Sequence, residues 1–156
     1  MQVYISYFYQ VRFMDPTFVP ISTAVYDPKW FHENQRQEHL FMDKHGVVNG
    51  LRIEPLSPSR EVSQYCHGKG CADSPSSCKF LAAYREQLNN LDFDKIINCL
   101  QEASKTAQKV CGLEQEPDIV LLVYETPSNP CSERQPLIEW FADNGYKLKE
   151  FSSREE

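Results

Sequence analysis

The stretch IVLLVYETPSNPCSERQPLIEWFADNGYKLKEFS, residues 119–152, decides the fold. It opens on a continuous apolar run, residues 119–124, where a strand with one wet face would alternate. Continuity is the pattern of a central strand covered on both faces, as in a mainly parallel sheet. Residues 126–131 follow as a polar loop with two prolines. Ser132 with Gln135 three positions later forms a capping-box signature, and Leu137, Ile138 and Phe141 make an inward face until Asn144-Gly145 stops the helix. Residues 148–152 read as a last strand. Strand, helix, strand in this order implies a crossover connection and a three-layer α/β fold, Rossmann-like, with helices on both faces of a mainly parallel sheet.

Working outward, the longest helical pattern covers residues 92–111. Asp92 is its N-cap, Phe93, Ile96, Ile97, Leu100, Ala103 and Val110 form one apolar stripe, and Gly112 ends it. Cys99 and Cys111 read as core residues of that helix. Residues 79–88 predict another helix. Near the start, Val3, Ile5, Tyr7 and Tyr9 alternate within a strand over residues 2–9, and residues 18–25 give a second strand between Asp15-Pro16 and Asp27-Pro28. Residues 29–64 read as loops with one short helix over residues 32–43.

Composition bounds the function. The chain has 156 residues, enough for one domain over residues 1–156 with its own core, and a cysteine-containing loop at about residues 57–79. A net charge of −6 and a pI near 5.2 disfavour a nucleic-acid binder, which needs a basic face to neutralise phosphates. No stretch has the length and apolarity of a membrane span, and residues 1–8 lack the basic and small-residue features of a secretory signal. We therefore expect a cytoplasmic protein, with homo-oligomerisation left open. In that compartment six cysteines act as thiols, ligands or nucleophiles rather than as a disulfide framework.

In an open α/β sheet the ligand lies beyond the carboxyl ends of the strands, where helix N-termini present free N–H groups. Residues 125–134 fall there. Arg134 occupies the first helical turn, where the helix dipole disfavours a cation by about 0.3–1 kcal/mol. A bound anion, held by an exposed guanidinium, would account for it; pairing with Glu125, Glu133 or solvent is the competing reading.

These same residues carry a resemblance. Tyr124-Glu125, a short loop, Cys131-Ser132-Glu133-Arg134 and then Glu139-Trp140 resemble the C-terminal signature of the family called domain of unknown function 488. Two further stretches match: residues 20–24 followed by Asp27-Pro28-Lys29-Trp30, and Asn49-Gly50-Leu51-Arg52. The family pattern has Cys-His-Arg at the helix start. Counting back from Trp140 puts Arg134 on the family arginine and Ser132 on its cysteine, with Glu133 in place of the histidine and Cys131 displaced by one. The form with an added cysteine loop resembles those of phages and Gram-positive bacteria. The resemblance implies no settled activity, but it implies a pocket formed by Ser6, Ser22, Thr23, Trp30, Arg52, Glu125, Ser132 and Arg134. Arginines, hydroxyls and an indole suit a phosphate and a stacked base, whereas hydroxyls near strand ends are also ordinary turn formers.

Two functions are compatible with this set. The first is a module that binds and sequesters an anionic, phosphate-bearing, nucleotide-derived small molecule, as a phage antagonist of nucleotide immune signalling would. The second is a hydrolase or glycosidase acting on a nucleotide-like substrate, with Glu125 as acid or base and Cys131 or Ser132 as nucleophile. No histidine is near this loop in sequence, although His32, His39 or His45 can reach it through the fold. Separately, Cys66, Cys71 and Cys78 lie within thirteen residues, beside His67 and glycines, a composition suited to tetrahedral zinc. Their spacing is wider than that of paired knuckle ligands. A fourth ligand would come from His67, Asp73 or Cys131, and loosely buried thiols are the other reading.

Overall fold

The computed structural model describes residues 1–33, 50–65, 78–129 and 132–152. Five parallel strands, β1 (Val3–Tyr7), β2 (Phe18–Ser22), β3 (Leu51–Arg52), β4 (Asp118–Val123) and β5 (Lys149–Glu150), form one sheet in the order β3-β2-β4-β1-β5. The continuous apolar run is β4, the middle strand, in register with both neighbours: Leu121 pairs with Ile5 on one side and with Ile21 on the other.

Five helices are described: α1 (Trp30–Glu33), α2 (Arg60–Ser63), α3 (Lys79–Asn89), α4 (Phe93–Cys111) and α5 (Arg134–Asp143). Ile119, Leu121 and Val123 pack with Tyr84, Leu88, Ile96, Leu100, Leu137 and Phe141 in one buried cluster. Val120 and Leu122 enter a second cluster with Phe8, Val11, Met14, Ala24 and Phe31. Because successive strand side chains leave on opposite faces, a strand feeding two cores must be apolar at every position. The three-layer parallel α/β architecture follows from that one strand.

The helix ends behave as their residues dictate. Asp92 accepts from the Asp94 and Lys95 amides, and Gly112 and Gly145 take positive φ of 67° and 83°, conformations in which a side chain is strained. Ser132 Oγ accepts from Arg134 N at 2.9 Å, but the Gln135 amide turns to Glu139, so the reciprocal half of the capping box does not form.

Several elements differ from expectation. β1 ends at Tyr7, and residues 8–13 tighten into a 3₁₀ helix that buries Phe8 and Val11 and leaves Tyr9 outside. β2 stops at Ser22. The short β3 and α2 fall inside a segment that reads as loop, because neither is long enough to show a period. Pro20 is tolerated in β2 because β3 pairs only with Ile21 and Ser22, so among the described residues no strand pairs beside the proline on that side. Along α4, Val110 and Cys99 are exposed rather than core, and the buried stripe instead takes in Ser104, whose hydroxyl donates to the Pro117 carbonyl at 2.6 Å.

Candidate functional site

All five strands run the same way, so Tyr7, Ser22, Arg52, Val123 and Glu150 end at one edge of the sheet. Beyond β2 and β3, the carboxylate of Asp27 is the hub of a polar cluster. Its side chain is only 2% exposed. Ser22 Oγ donates to it, Arg52 Nη1 donates to Oδ1 at 2.7 Å, and His32 Nε2 lies 2.6 Å from Oδ2. Arg52 is held along its whole guanidinium: Nε donates to Glu54 at 3.0 Å and Nη2 to the Ala24 carbonyl at 2.8 Å. Burial works against its charge, but the Glu54 and Asp27 carboxylates outweigh that and raise its pKa.

A cleft of about 520 Å³ opens over this cluster, bordered by Tyr26, Asp27, His32, Arg52, Arg60 and Gln87 among others. Much of its polar lining is already bonded inward. Ser57 Oγ donates to the Ala24 carbonyl at 2.9 Å, and the Gln87 amide donates to the Ser57 carbonyl at 2.7 Å. Two side chains are less engaged: Arg60 is exposed and makes no ion pair among the described residues, and His32 is 38% exposed at its side chain, with no partner for Nδ1 among the described residues.

A second cluster surrounds the start of α5. Arg134 is buried, 4% exposed, and not at an exposed helix start. Its Nη2 donates to the Glu125 carbonyl at 2.8 Å, Nη1 pairs with the Glu150 carboxylate, and its guanidinium lies over the Tyr7 ring. These partners offset the unfavourable helix dipole, a task the sequence reading gave to an outside anion. Burial lowers the pKa of Arg134 and raises that of Glu150, each opposed by the charge of the other. Ser132 Oγ donates to Glu125 at 3.0 Å.

Glu133, just before α5, is 7% exposed, and its Oε2 makes no hydrogen bond among the described residues. Burial pushes its carboxyl well above the usual carboxylate range; Glu125 adds to the rise and Arg52 opposes it. The Tyr124 hydroxyl, at the end of β4, has its pKa raised by burial and by the Asp27 charge, and its ring packs on Phe8.

The remaining expected residues divide plainly. Ser6 Oγ donates to the Phe151 carbonyl at 2.7 Å and Thr23 Oγ1 to the Leu122 carbonyl at 2.9 Å, so both fasten the sheet. Trp30 is partly exposed and stacks edge-on against Phe8 and Phe31 at the same end of the sheet. Cys131, Cys66, Cys71, His39, His45, His67 and Asp73 lie outside the described residues. Cys78 is buried at the start of α3, and no group of three metal-ligating side chains occurs among the described residues.

Asp27, Arg60 and Glu133 escaped the sequence reading as site residues. Asp27 next to Pro28 reads as turn punctuation, Arg60 as solvent charge, and Glu133 as the residue between two candidates. The family resemblance did include Asp27, which was the available signal. Comparison with protein-family models, curated proteins and solved structures yields no match. No helix among the described residues is long and apolar enough to cross a membrane.

Proposed function

We propose that the protein binds a phosphate-bearing, nucleotide-like small molecule in the cleft beside Asp27, His32 and Arg52. The observation that carries this reading is the cleft itself. It lies at the carboxyl edge of a parallel sheet, the position where such sheets take ligands, and its 520 Å³ is in the range of small-molecule sites. Arg60 offers guanidinium donors to a phosphate, beside Arg52, which Asp27 and Glu54 hold in place. Tyr26, 78% exposed on the rim, offers a ring to a base.

Relative to the sequence reading, the anion site moves from Arg134 to the cleft, with Arg52 retained and Arg134 assigned to the scaffold. The resemblance to the phage forms of the unknown-function family extends the proposal to sequestration of a nucleotide signal. Incubation with cyclic dinucleotides, cyclic oligonucleotides or ADP-ribose derivatives tests it. Depletion of the free molecule, with recovery after heat denaturation, supports binding. No depletion across all three classes refutes it and assigns the arginines to internal pairing alone.

A further inference from the structure

The cleft holds one group that binding alone does not need. His32 is fixed through Nε2 by a carboxylate that is itself almost wholly buried. Asp27 accepts from Ser22 and Arg52 as well, so its carboxylate cannot turn away without breaking two other bonds. An ionised carboxylate only accepts, so Nε2 carries the hydrogen of the neutral ring and Nδ1 carries the lone pair. Nδ1 has no partner among the described residues, and His32 borders the cleft. A ring oriented by a buried carboxylate, with its other nitrogen open to a ligand site, is the arrangement of a general base.

The neighbouring groups decide which bond such a base would break. Glycoside hydrolysis calls for two carboxyl groups flanking the bond. Of the two carboxyl groups that border the cleft among the described residues, Asp27 is buried and engaged by three partners, which leaves Glu54, exposed and bonded to Arg52 through one oxygen, where the reaction needs a pair. What the cleft does offer beside His32 is the guanidinium of Arg60, which makes no ion pair among the described residues while Arg52 is balanced by Asp27 and Glu54; it suits a phosphoryl centre gaining charge in the transition state. No protein hydroxyl is hydrogen-bonded to the ring among the described residues: Ser22 and Ser57 donate to Asp27 and to the Ala24 carbonyl, and Ser59, on the cleft wall, accepts from the Val62 amide as the cap of α2. A nucleophile that arrives with the substrate fits this arrangement, and an attacking hydroxyl on the same molecule has the large advantage of an intramolecular reaction.

We infer that His32 is the catalytic base of a phosphodiester cleavage in this cleft, acting on a ribonucleotide whose own 2′-hydroxyl attacks the neighbouring phosphorus. His32 Nδ1 takes the 2′-hydroxyl proton, the 2′-oxygen to phosphorus bond forms, and the phosphorus to 5′-oxygen bond breaks. The proton on Nδ1 passes to the departing 5′-oxygen. The products are a 2′,3′-cyclic phosphate and a free 5′-hydroxyl, with no oxidant, reductant or further reactant consumed. Asp27 is a positioning residue that holds the ring.

This inference rests on the proposed binding site and replaces sequestration by turnover for ligands with a free 2′-hydroxyl beside the phosphodiester; the test separates the two. A ribodinucleotide and its 2′-deoxy counterpart are titrated by calorimetry and then incubated with wild-type protein, His32→Gln and His32→Ala. Thermal melts establish that the variants fold, as expected for a half-exposed side chain. Both probes should bind, only the ribodinucleotide should be cleaved, and either substitution should slow cleavage by about a hundredfold or more. Added imidazole should restore part of the rate to His32→Ala and none to His32→Gln, whose side chain fills the space. A ribodinucleotide that binds and is recovered intact overturns the inference and leaves the binding reading standing. Cleavage that persists in both variants, or that consumes the deoxy probe equally, also overturns it. If neither probe binds, the inference is overturned, and the binding reading falls with it only if the cyclic dinucleotides, cyclic oligonucleotides and ADP-ribose derivatives also fail to bind.

Discussion

Glu133→Gln offers the sharpest perturbation of the buried charge at this site. The carboxyl is 7% exposed, one of its oxygens has no partner, and its pKa is raised by burial and by Glu125. In the window between the ordinary carboxylate value and the raised folded value, the native protein holds a proton that the unfolded chain has lost. Stability therefore falls as pH rises through that window, by about 1.4 kcal/mol per pH unit. For a chain of this size that slope moves the melting temperature by about 3 to 5 °C per unit. Glutamine keeps the shape and cannot ionise, so this component vanishes in the variant. Glu150 is also raised by burial, with the same sign, but it is present in both proteins, and the difference between the two curves isolates Glu133. Thermal melts from pH 5 to pH 8 should show the wild type losing stability with rising pH faster than Glu133→Gln, the variant being the more stable at pH 8. Parallel curves, or a variant less stable at pH 8, would refute the argument that Glu133 is held protonated.

Further outcomes follow from the same geometry. Arg134→Ala should lower stability by about 2 to 3 kcal/mol in denaturant unfolding, because it strips Glu150 and the Glu125 carbonyl of a partner; Glu150 reaches water, which keeps the cost below that of splitting a fully buried pair. Its folded fraction should bind small anions as the wild type does, and loss of binding without loss of stability would return Arg134 to the ligand. Leu121→Ala in the middle strand should cost about 2 to 5 kcal/mol, since the side chain is fully buried in the core on the α3–α5 face. If Cys66, Cys71 and Cys78 hold zinc, elemental analysis should find roughly one zinc per chain and chelation should lower the melting temperature; metal-free, chelator-indifferent protein would leave them as thiols.

The sheet was legible because β4 carries its burial in its composition: five consecutive apolar side chains from Ile119 to Val123 can be covered only from both faces. The long helix was legible for a similar reason, with Asp92 and Gly112 marking both ends by chemistry particular to caps. β3 and α2 were not, because two strand residues and one helical turn have no periodicity to read. At the site, residue type pointed to the carboxyl ends of the strands and to Arg52, which the fold places there, but not to the partners of each side chain. Arg134 meets Glu150 sixteen residues later, and Asp27 meets Arg52 across twenty-five, pairings that only the parallel register of the strands creates. A guanidinium with a carboxylate waiting in the fold looks, in sequence, the same as one waiting for a ligand.

The most direct test of the account is calorimetric titration of wild-type protein and Arg60→Ala with cyclic dinucleotides, ADP-ribose and a mononucleotide. Arg60 is exposed at the cleft, outside the core, and without an ion pair among the described residues, so its loss should leave the fold unchanged. At least one of these ligands should bind saturably, weakened in the variant by about 1.5 to 3 kcal/mol, the worth of a charged hydrogen bond. No binding by any of them, or binding that Arg60→Ala leaves untouched, would contradict the assignment of this cleft to a phosphate-bearing ligand.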